Sequence, residues 1–183
     1  ETHREELNNL LKNWENIDKE QVLIWMEKFV TLNTFEISIP GLKDPDLVPP
    51  GKTAMVVSFL AEYDLFKKLQ ESEWLDEFKL KLDAQVLKVL SESIYPMLKD
   101  KVIHSFSFTP LSYHNRVGTS EGAITGWSFE KPIPVVSKIQ FSDRSVLTSI
   151  PSIYQAGQWA YSPAGVPMCI LTGKLAADRI IKK

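Results

Sequence analysis

The chain has 183 residues and a formal net charge of −2, and 44% of its residues are apolar. This length fits one domain with a sizeable core, and the composition excludes a disordered, collagen-like or polyanion-binding protein. The single cysteine, Cys169, excludes an internal disulfide framework. The sequence shows neither a signal-peptide pattern nor an apolar run long enough to span a bilayer. We therefore expect a cytoplasmic location, with peripheral contact to a membrane left open.

Two amphipathic helices are predicted at the start of the chain. Between Glu5 and Trp14, apolar residues recur at helical spacing. Asp18 and Gln21 have the spacing of a capping box, which predicts the start of a second helix. The aromatic residues of both helices favour core packing over the lining of a substrate tunnel.

Three segments are predicted to form an antiparallel or mixed sheet. Residues 34–39 and 102–109 alternate apolar and polar side chains, as half-buried strands do. Residues 53–61 form a nearly continuous apolar run, which predicts a strand covered on both faces. The prolines of residues 40–51 are expected to exclude both helix and paired strand there.

Helices are predicted to pack this sheet. Residues 71–95 carry an apolar stripe at helical spacing, and Pro96 is expected to end that helix. Thr109-Pro110 opens a further turn or helix that includes His114. The expected fold class is α+β, with an antiparallel or mixed sheet packed by helices.

Glycines 118, 122 and 126 punctuate the next segment, which ends in Thr125-Gly126-Trp127. Their spacing does not match a nucleotide-binding fingerprint. A cluster of turns with a packed tryptophan and a segment that passes a ligand closely are both compatible with this pattern.

Catalytic and metal-binding constellations are missing from the sequence. The three histidines are too scattered for metal ligands, and there is no G-x-S-x-G elbow. No pair of carboxylates stands out for acid–base chemistry. We therefore predict neither a metal site nor dedicated catalytic side chains.

The chain is predicted to end in a strand, a glycine turn and a helix. The short apolar run Ile153–Ala156 stops at Gly157, and the helix is predicted from Val166 to Ile181 with Pro167 in its first turn. A helix start presents free N–H groups and a positive dipole end, which suit an electron-rich acceptor.

The order of motifs in this last segment resembles a known family. Tyr154-x-Ala-Gly-Gln-Trp159, then Gly165-Val-Pro167, then Thr172-Gly-Lys-Leu-Ala-Ala177 are similar to the C-terminal flavin-contacting motif of the phytoene dehydrogenase-like FAD oxidoreductases. That family includes carotenoid desaturases, carotenoid isomerases and retinol saturases. The resemblance implies hydride transfer between an apolar, polyene-like substrate and the flavin.

The resemblance also implies roles for individual residues. Backbone N–H groups and close packing at the flavin edge are expected from Gly157, Gln158, Trp159, Gly165, Val166, Pro167 and Met168. Trp127 and His114 are the expected substrate-binding residues.

The domain organisation follows from the same resemblance. Residues 1–148 are expected to be part of a substrate-binding domain, and residues 149–183 the strand–turn–helix that returns to the FAD-binding domain. Because the chain has no G-x-G-x-x-G fingerprint for the ADP half of FAD, we expect a C-terminal fragment. Its missing N-terminal FAD-binding half would be its partner, and the fragment alone would be inactive.

Two other functions remain open. The chain suits a non-catalytic module that binds an apolar ligand or another protein, since aromatic helices and strands can do this without flavin. An amine-oxidase-like flavoprotein shares the general architecture, although the terminal motifs resemble the carotenoid-type group more closely. Substrate identity, the direction of the redox reaction and the electron acceptor are not determined by these patterns.

Overall fold

The computed structural model describes residues 2–124, 126–127 and 132–181. Contacts within the chain divide it into two compact units, Glu1–Gly122 and Ala123–Lys183. The assignment of residues 1–148 and 149–183 to two domains of a flavoprotein stays a prediction.

Helices make up most of the first unit. They are α1 (Thr2–Lys12), α2 (Lys19–Thr31), α3 (Pro40–Lys43), α4 (Tyr63–Glu71), α5 (Leu75–Glu92), α6 (Leu98–Lys101) and α7 (Pro110–Val117). Strands β1 (Glu36–Ser38) and β2 (Val56–Ser58) pair antiparallel, with Ile37 opposite Val57. The second unit contains α8 (Val166–Ile181). The described chain is therefore mainly helical with a small antiparallel sheet, which is compatible with an α+β class.

The core of the first unit forms where α1, α2, α4 and α5 bury their apolar faces together. Val22, Met26 and Val30 lie fully buried along one side of α2, as the helical period requires. The predicted capping box is confirmed: Gln21 N–H donates to the Asp18 carboxylate, and Asp18 N–H donates to the Gln21 side chain. This reciprocal bonding satisfies two amides that a helix start otherwise leaves free.

The helix predicted over residues 71–95 begins later than expected, at Leu75. Glu73 interrupts it because its φ of +58° lies in the left-handed region. Helix α4 ends just before this break, and the sequence analysis did not predict α4. The apolar stripe of α5 is where it was expected, with Phe78 and Leu82 buried.

The predicted third strand is wrong. Residues 102–109 form no strand, and the Phe106 side chain is 76% exposed. Alternation predicts which residues share a face, but a strand also needs a partner whose edge is free. The strand predicted over residues 53–61 shrinks to the three residues of β2, and Val56 is exposed rather than covered.

The exclusion of helix from residues 40–51 is also wrong. Helix α3 begins at Pro40, and a 3-10 turn at Pro45–Leu47 begins at Pro45. A proline in the first helical position loses no hydrogen bond, because that amide has no partner within the helix.

In the second unit, α8 has the bounds that the sequence predicts. Thr172 and Ala176 are buried on its inner side. The strand predicted over residues 153–156 is wrong: Tyr154 makes only an isolated antiparallel bridge with Leu147. Among the helices that the structure describes, none combines the length and apolar character needed to cross a bilayer.

Candidate functional site

The candidate site is the turn at residues 157–159 together with the start of α8. Gly157 has a φ of +105° and Gly165 a φ of +141°, values that side-chain-bearing residues rarely adopt. A Cβ on Gly157 would meet no atom within 4 Å, and one on Gly165 would meet only Pro167 Cδ, at 3.9 Å. Both glycines therefore leave open space on the side where a side chain would stand.

Thr172 fastens this turn to α8. The Gly157 N–H donates to Thr172 Oγ1 over an N–O distance of 3.0 Å. The Thr172 hydroxyl in turn donates to the Met168 carbonyl one turn earlier, at 2.7 Å. Thr172 is fully buried, so both bonds are shielded from competition with water.

A second anchor holds the chain just before the turn. Gln155 N–H donates to the Val146 carbonyl at 2.9 Å, and the Gln155 side-chain amide donates to the Ser145 carbonyl at 2.8 Å. Within the turn, Ala160 N–H donates to the Gly157 carbonyl at 3.2 Å. The turn is therefore bonded to its own unit on both sides of Gly157.

These bonds decide which backbone donors remain for a ligand. The Gly157 amide is engaged by Thr172. The amides of Gln158 and Trp159 bond to none of the described residues. In α8, Cys169 N–H donates to the Gly165 carbonyl at 3.0 Å. Met168 N–H precedes that first bond, and Pro167 has no N–H to offer.

Trp127 lies against this turn. Its indole Nε1–H donates to the Trp159 carbonyl at 3.0 Å. The two indole rings meet edge to face, with centroids 5.7 Å apart and an interplanar angle of 79°. Gly126 lies close to Ala164, since a Cβ on Gly126 would be 3.7 Å from it. The predicted substrate residue Trp127 and the predicted flavin-contacting turn are thus neighbours. Thr125 lies outside the described residues.

Residues 161–162, between the turn and α8, are held by hydrogen bonds to residues 136–137. Ser162 N–H donates to the Val136 carbonyl at 3.0 Å, and the Tyr161 hydroxyl donates to the Ser137 carbonyl at 3.1 Å. Ser162 Oγ is buried and has no hydrogen-bond partner within the described part of the chain. A buried hydroxyl without a partner costs free energy, so the backbone bonds of this segment fix its place without help from the Ser162 side chain.

His114 lies in the first unit, apart in the chain from the other predicted site residues. It belongs to α7, whose predicted start at Pro110 is confirmed by a capping box between Thr109 and Ser112. His114 Nδ1 is 3.0 Å from the Thr119 carbonyl, which accepts only, so Nδ1 carries the proton. Its ring also packs edge to face on Tyr63.

Two of the anchoring residues carry no role that was predicted from the sequence. Thr172 appeared only as a letter in the terminal motif, and Gln155 not at all. A local signal exists for Thr172, because a polar residue on the inner side of an apolar helix must find hydrogen-bond partners. No local signal identifies Gln155, because its partners are about ten residues earlier in the chain.

The outer face of α8, formed by Val166, Ile170, Gly173, Ala177 and Ile180, is an apolar stripe that faces away from its unit. These residues follow at intervals of four and three. Val166 is 72% exposed and Ile170 69% exposed. Such spacing keeps a stripe on one side of a helix for contact with another element.

Comparisons with known proteins identify desaturases among the relatives of this chain. No protein-family model matches the chain, and no solved structure matches it significantly. The chain is 28% identical over 142 residues to the phytoene desaturase (neurosporene-forming) of Rhodobacter capsulatus, a match that covers 77% of this chain and 26% of that protein. It is 22% identical over 168 residues to the phytoene desaturase of Fusarium fujikuroi, covering 81% of this chain and 28% of that protein.

A third relative is the 4,4'-diapophytoene desaturase (4,4'-diaponeurosporene-forming) of Staphylococcus aureus. Identity is 23% over 153 residues, which covers 80% of this chain and 28% of that protein. The chain thus spans about a quarter of the length of the curated relatives it matches. The resemblance that the terminal motifs indicate is confirmed: the chain is similar to phytoene and diapophytoene desaturases over 77–81% of its length.

Proposed function

We propose that this chain is the C-terminal part of an FAD-dependent oxidoreductase of the phytoene dehydrogenase type. The observation that carries the proposal is the glycine turn at residues 157–159, which Thr172 fastens to the first turns of α8. The relatives' names, all desaturases, support the same class of reaction. When bound, the flavin supplies the hydride chemistry, and the protein supplies binding and electrostatics.

The residues present at the turn fit a flat, electron-rich group. Gly157 and Gly165 leave open the volume that side chains would fill. Gln158, Trp159 and Met168 offer backbone N–H groups, and the positive end of α8 favours negative charge by about 0.3–1 kcal/mol. No acidic side chain lies in the first turn of α8 to neutralise that end. We assign these residues, with Val166 and Pro167 as packing contacts, to the flavin edge.

We assign the substrate side of the site to Trp127. Its indole N–H is committed to the Trp159 carbonyl, so the ring has a fixed orientation beside the turn. An indole held in this way presents an apolar surface, which suits a polyene-like substrate. In the first unit, His114 stays a proposed substrate contact by itself, and Nε2 is its free ring nitrogen because Nδ1 bonds to the Thr119 carbonyl.

The partner we propose for this chain is the FAD-binding half of the same protein. The chain covers only 26–28% of its relatives, and the exposed outer face of α8 is an apolar surface of the kind that packs against another element. In this arrangement residues 1–148 belong to the substrate domain and residues 149–183 to the FAD domain. We propose a cytoplasmic protein that contacts membranes peripherally to reach its apolar substrate.

A second candidate function is a module that binds an apolar ligand without flavin. One observation favours it: an open groove of about 380 Å³ lies between α1 and α2. Its lining includes Leu10, Ile17, Ile24 and Trp25.

The experiment that separates these functions is flavin retention. We would purify the full-length product of the gene and, separately, the 183-residue chain, and record flavin absorbance and fluorescence for both. We expect the full-length protein to be yellow and the chain to be colourless and inactive, because the chain lacks the ADP-binding half. If neither retains flavin, the apolar-ligand module becomes the better interpretation. High-affinity FAD or turnover in the chain alone would contradict its being an inactive fragment.

A matched pair of variants localises the flavin contact. Gly157→Ala and Gly51→Ala both place a side chain at positive φ where a Cβ meets nothing within 4 Å. Because φ is +105° at Gly157 and +71° at Gly51, the backbone strain is larger for Gly157→Ala, and thermal unfolding of each variant measures it separately. In the full-length protein we expect about tenfold weaker FAD binding for Gly157→Ala, equivalent to about 1.4 kcal/mol, and no change for Gly51→Ala. A loss of FAD affinity that is fully explained by the loss of stability in Gly157→Ala would mean that strain alone is responsible.

A further inference from the structure

Thr172 is a buried hydroxyl in the interior of a helix whose inner side is otherwise apolar. Its side chain is fully buried, and Ala176 one turn later is 9% exposed. Burying a hydroxyl is unfavourable unless its hydrogen bonds are made. Thr172 therefore needs a specific partner, and both of its bonds are made within this unit.

The two bonds act in series. The Thr172 hydroxyl hydrogen points to the Met168 carbonyl, and a second, longer contact of 3.2 Å reaches the Cys169 carbonyl. With the hydrogen directed into the helix, a lone pair of Oγ1 faces outward and accepts from the Gly157 N–H. The bond to the Met168 carbonyl thus orients the Thr172 oxygen so that it accepts from the Gly157 N–H.

The hydrogen bond between Gly157 and Thr172 joins the glycine turn to the middle of α8, 15 residues later in the chain. We propose that Thr172 is a positioning residue: it holds the turn at residues 157–159 in a fixed place beside the first turns of α8, so that the free amides of Gln158, Trp159 and Met168 serve one bound flavin. Gly157 is then the anchoring amide of the turn, and its N–H does not contact the ligand. This role rests on the proposed function.

Two substitutions separate the hydroxyl from the shape of the side chain. Thr172→Val keeps the branched shape and removes both hydrogen bonds, whereas Thr172→Ser keeps the hydroxyl. Thr148→Val is the control in the same unit, since among the described residues the Thr148 hydroxyl bonds to the Ile150 and Ile153 carbonyls and to Ile150 N–H, and to no atom of the glycine turn. Thermal unfolding of each variant checks that it folds.

The measurement is hydrogen exchange of the peptide covering residues 155–161 in the full-length protein, together with its flavin affinity and absorption spectrum. For Thr172→Val we expect exchange about fivefold faster in this peptide, the value for one lost hydrogen bond, with weaker flavin binding and a shifted spectrum. Thr172→Ser should restore all three, and Thr148→Val should leave them unchanged.

Each outcome decides the proposal. Unchanged exchange in Thr172→Val overturns the anchor itself. Faster exchange with unchanged flavin affinity and spectrum overturns its role toward the flavin. A wild-type protein without flavin defeats the proposed function and the flavin role with it, while the exchange data still show whether Thr172 holds the turn.

Discussion

At the scale of single residues, two neighbouring glycines show how differently the same residue type is used. Gly118 and Gly122 both have positive φ, +76° and +64°. A Cβ on Gly118 would meet nothing within 4 Å, whereas one on Gly122 would lie 2.1 Å from the Pro110 carbonyl oxygen. The glycine run therefore allows close backbone approach at Gly122, and the approaching group is the chain itself.

This difference predicts unequal costs of adding a methyl group. Gly118→Ala carries only the cost of the left-handed conformation, about 1–2 kcal/mol. Gly122→Ala adds a clash with backbone that cannot rotate away, and we expect a loss of at least about 3 kcal/mol. Urea unfolding of both variants measures the free energies. Equal losses would show that the Pro110 backbone moves aside without cost.

At the scale of elements, α5 carries a carboxyl group whose burial has a pH signature. Burial raises the pKa of Asp83 above its ordinary value of 3.8, and the opposing effects of the Ser107 hydroxyl and then of the Lys79 charge are weaker. The folded chain therefore binds this proton more tightly than the unfolded chain. The contribution of this bound proton to the free energy of unfolding is complete below pH 3.8. It is lost as the pH rises through the folded-state pKa.

Asp83→Asn removes the titrating group and tests this sign. At pH 7 we expect the variant to be more stable than wild type, because Asn avoids the burial of a charge. Well below pH 3.8, where Asp83 is neutral in both the folded and the unfolded chain, the two should unfold at the same urea concentration. A difference that stays constant across this range would show that burial of the charge is not the cause.

The helices also show which elements a sequence determines locally. The start of α2 was predictable because its cap is formed by Asp18 and Gln21, three residues apart, and that of α7 because Pro110 suits a first helical position. The bounds of α8 followed from its first-turn proline and its spacing. The break at Glu73 was missed because its left-handed backbone belongs to a residue type that favours helix.

At the scale of the whole molecule, prediction failed where a partner far along the chain was needed. Residues 102–109 have the alternation of a strand, but the ladder of β1 and β2 is only three residues long and residues 102–109 do not join it.

In the candidate site, too, the features set by neighbouring residues were predictable and those set by distant partners were not. The glycines at 157 and 165 and the helix start were readable from their motif, while the bonds from Gln155 and Thr172 that hold the turn were not.

The outer face of α8 gives a prediction that separates the chain from the longer protein we propose. Ile170 is 69% exposed here, so Ile170→Lys should leave the melting temperature of the isolated chain nearly unchanged. If the FAD-binding half covers this face, the same change buries an unpaired charge and loses the roughly 1.5–3 kcal/mol that a buried isoleucine contributes.

We therefore expect Ile170→Lys to lower the melting temperature and the flavin content of the full-length protein while the isolated chain is unaffected. We would measure thermal unfolding of the full-length protein and of the isolated chain, each with and without the substitution. The isolated chain is the control, because any local effect on α8 appears in both proteins. Gly173 and Ala177, beside Ile170 on this face, leave room for close approach of another backbone. Full-length protein that tolerates lysine at residue 170 would show that this face of α8 stays in water.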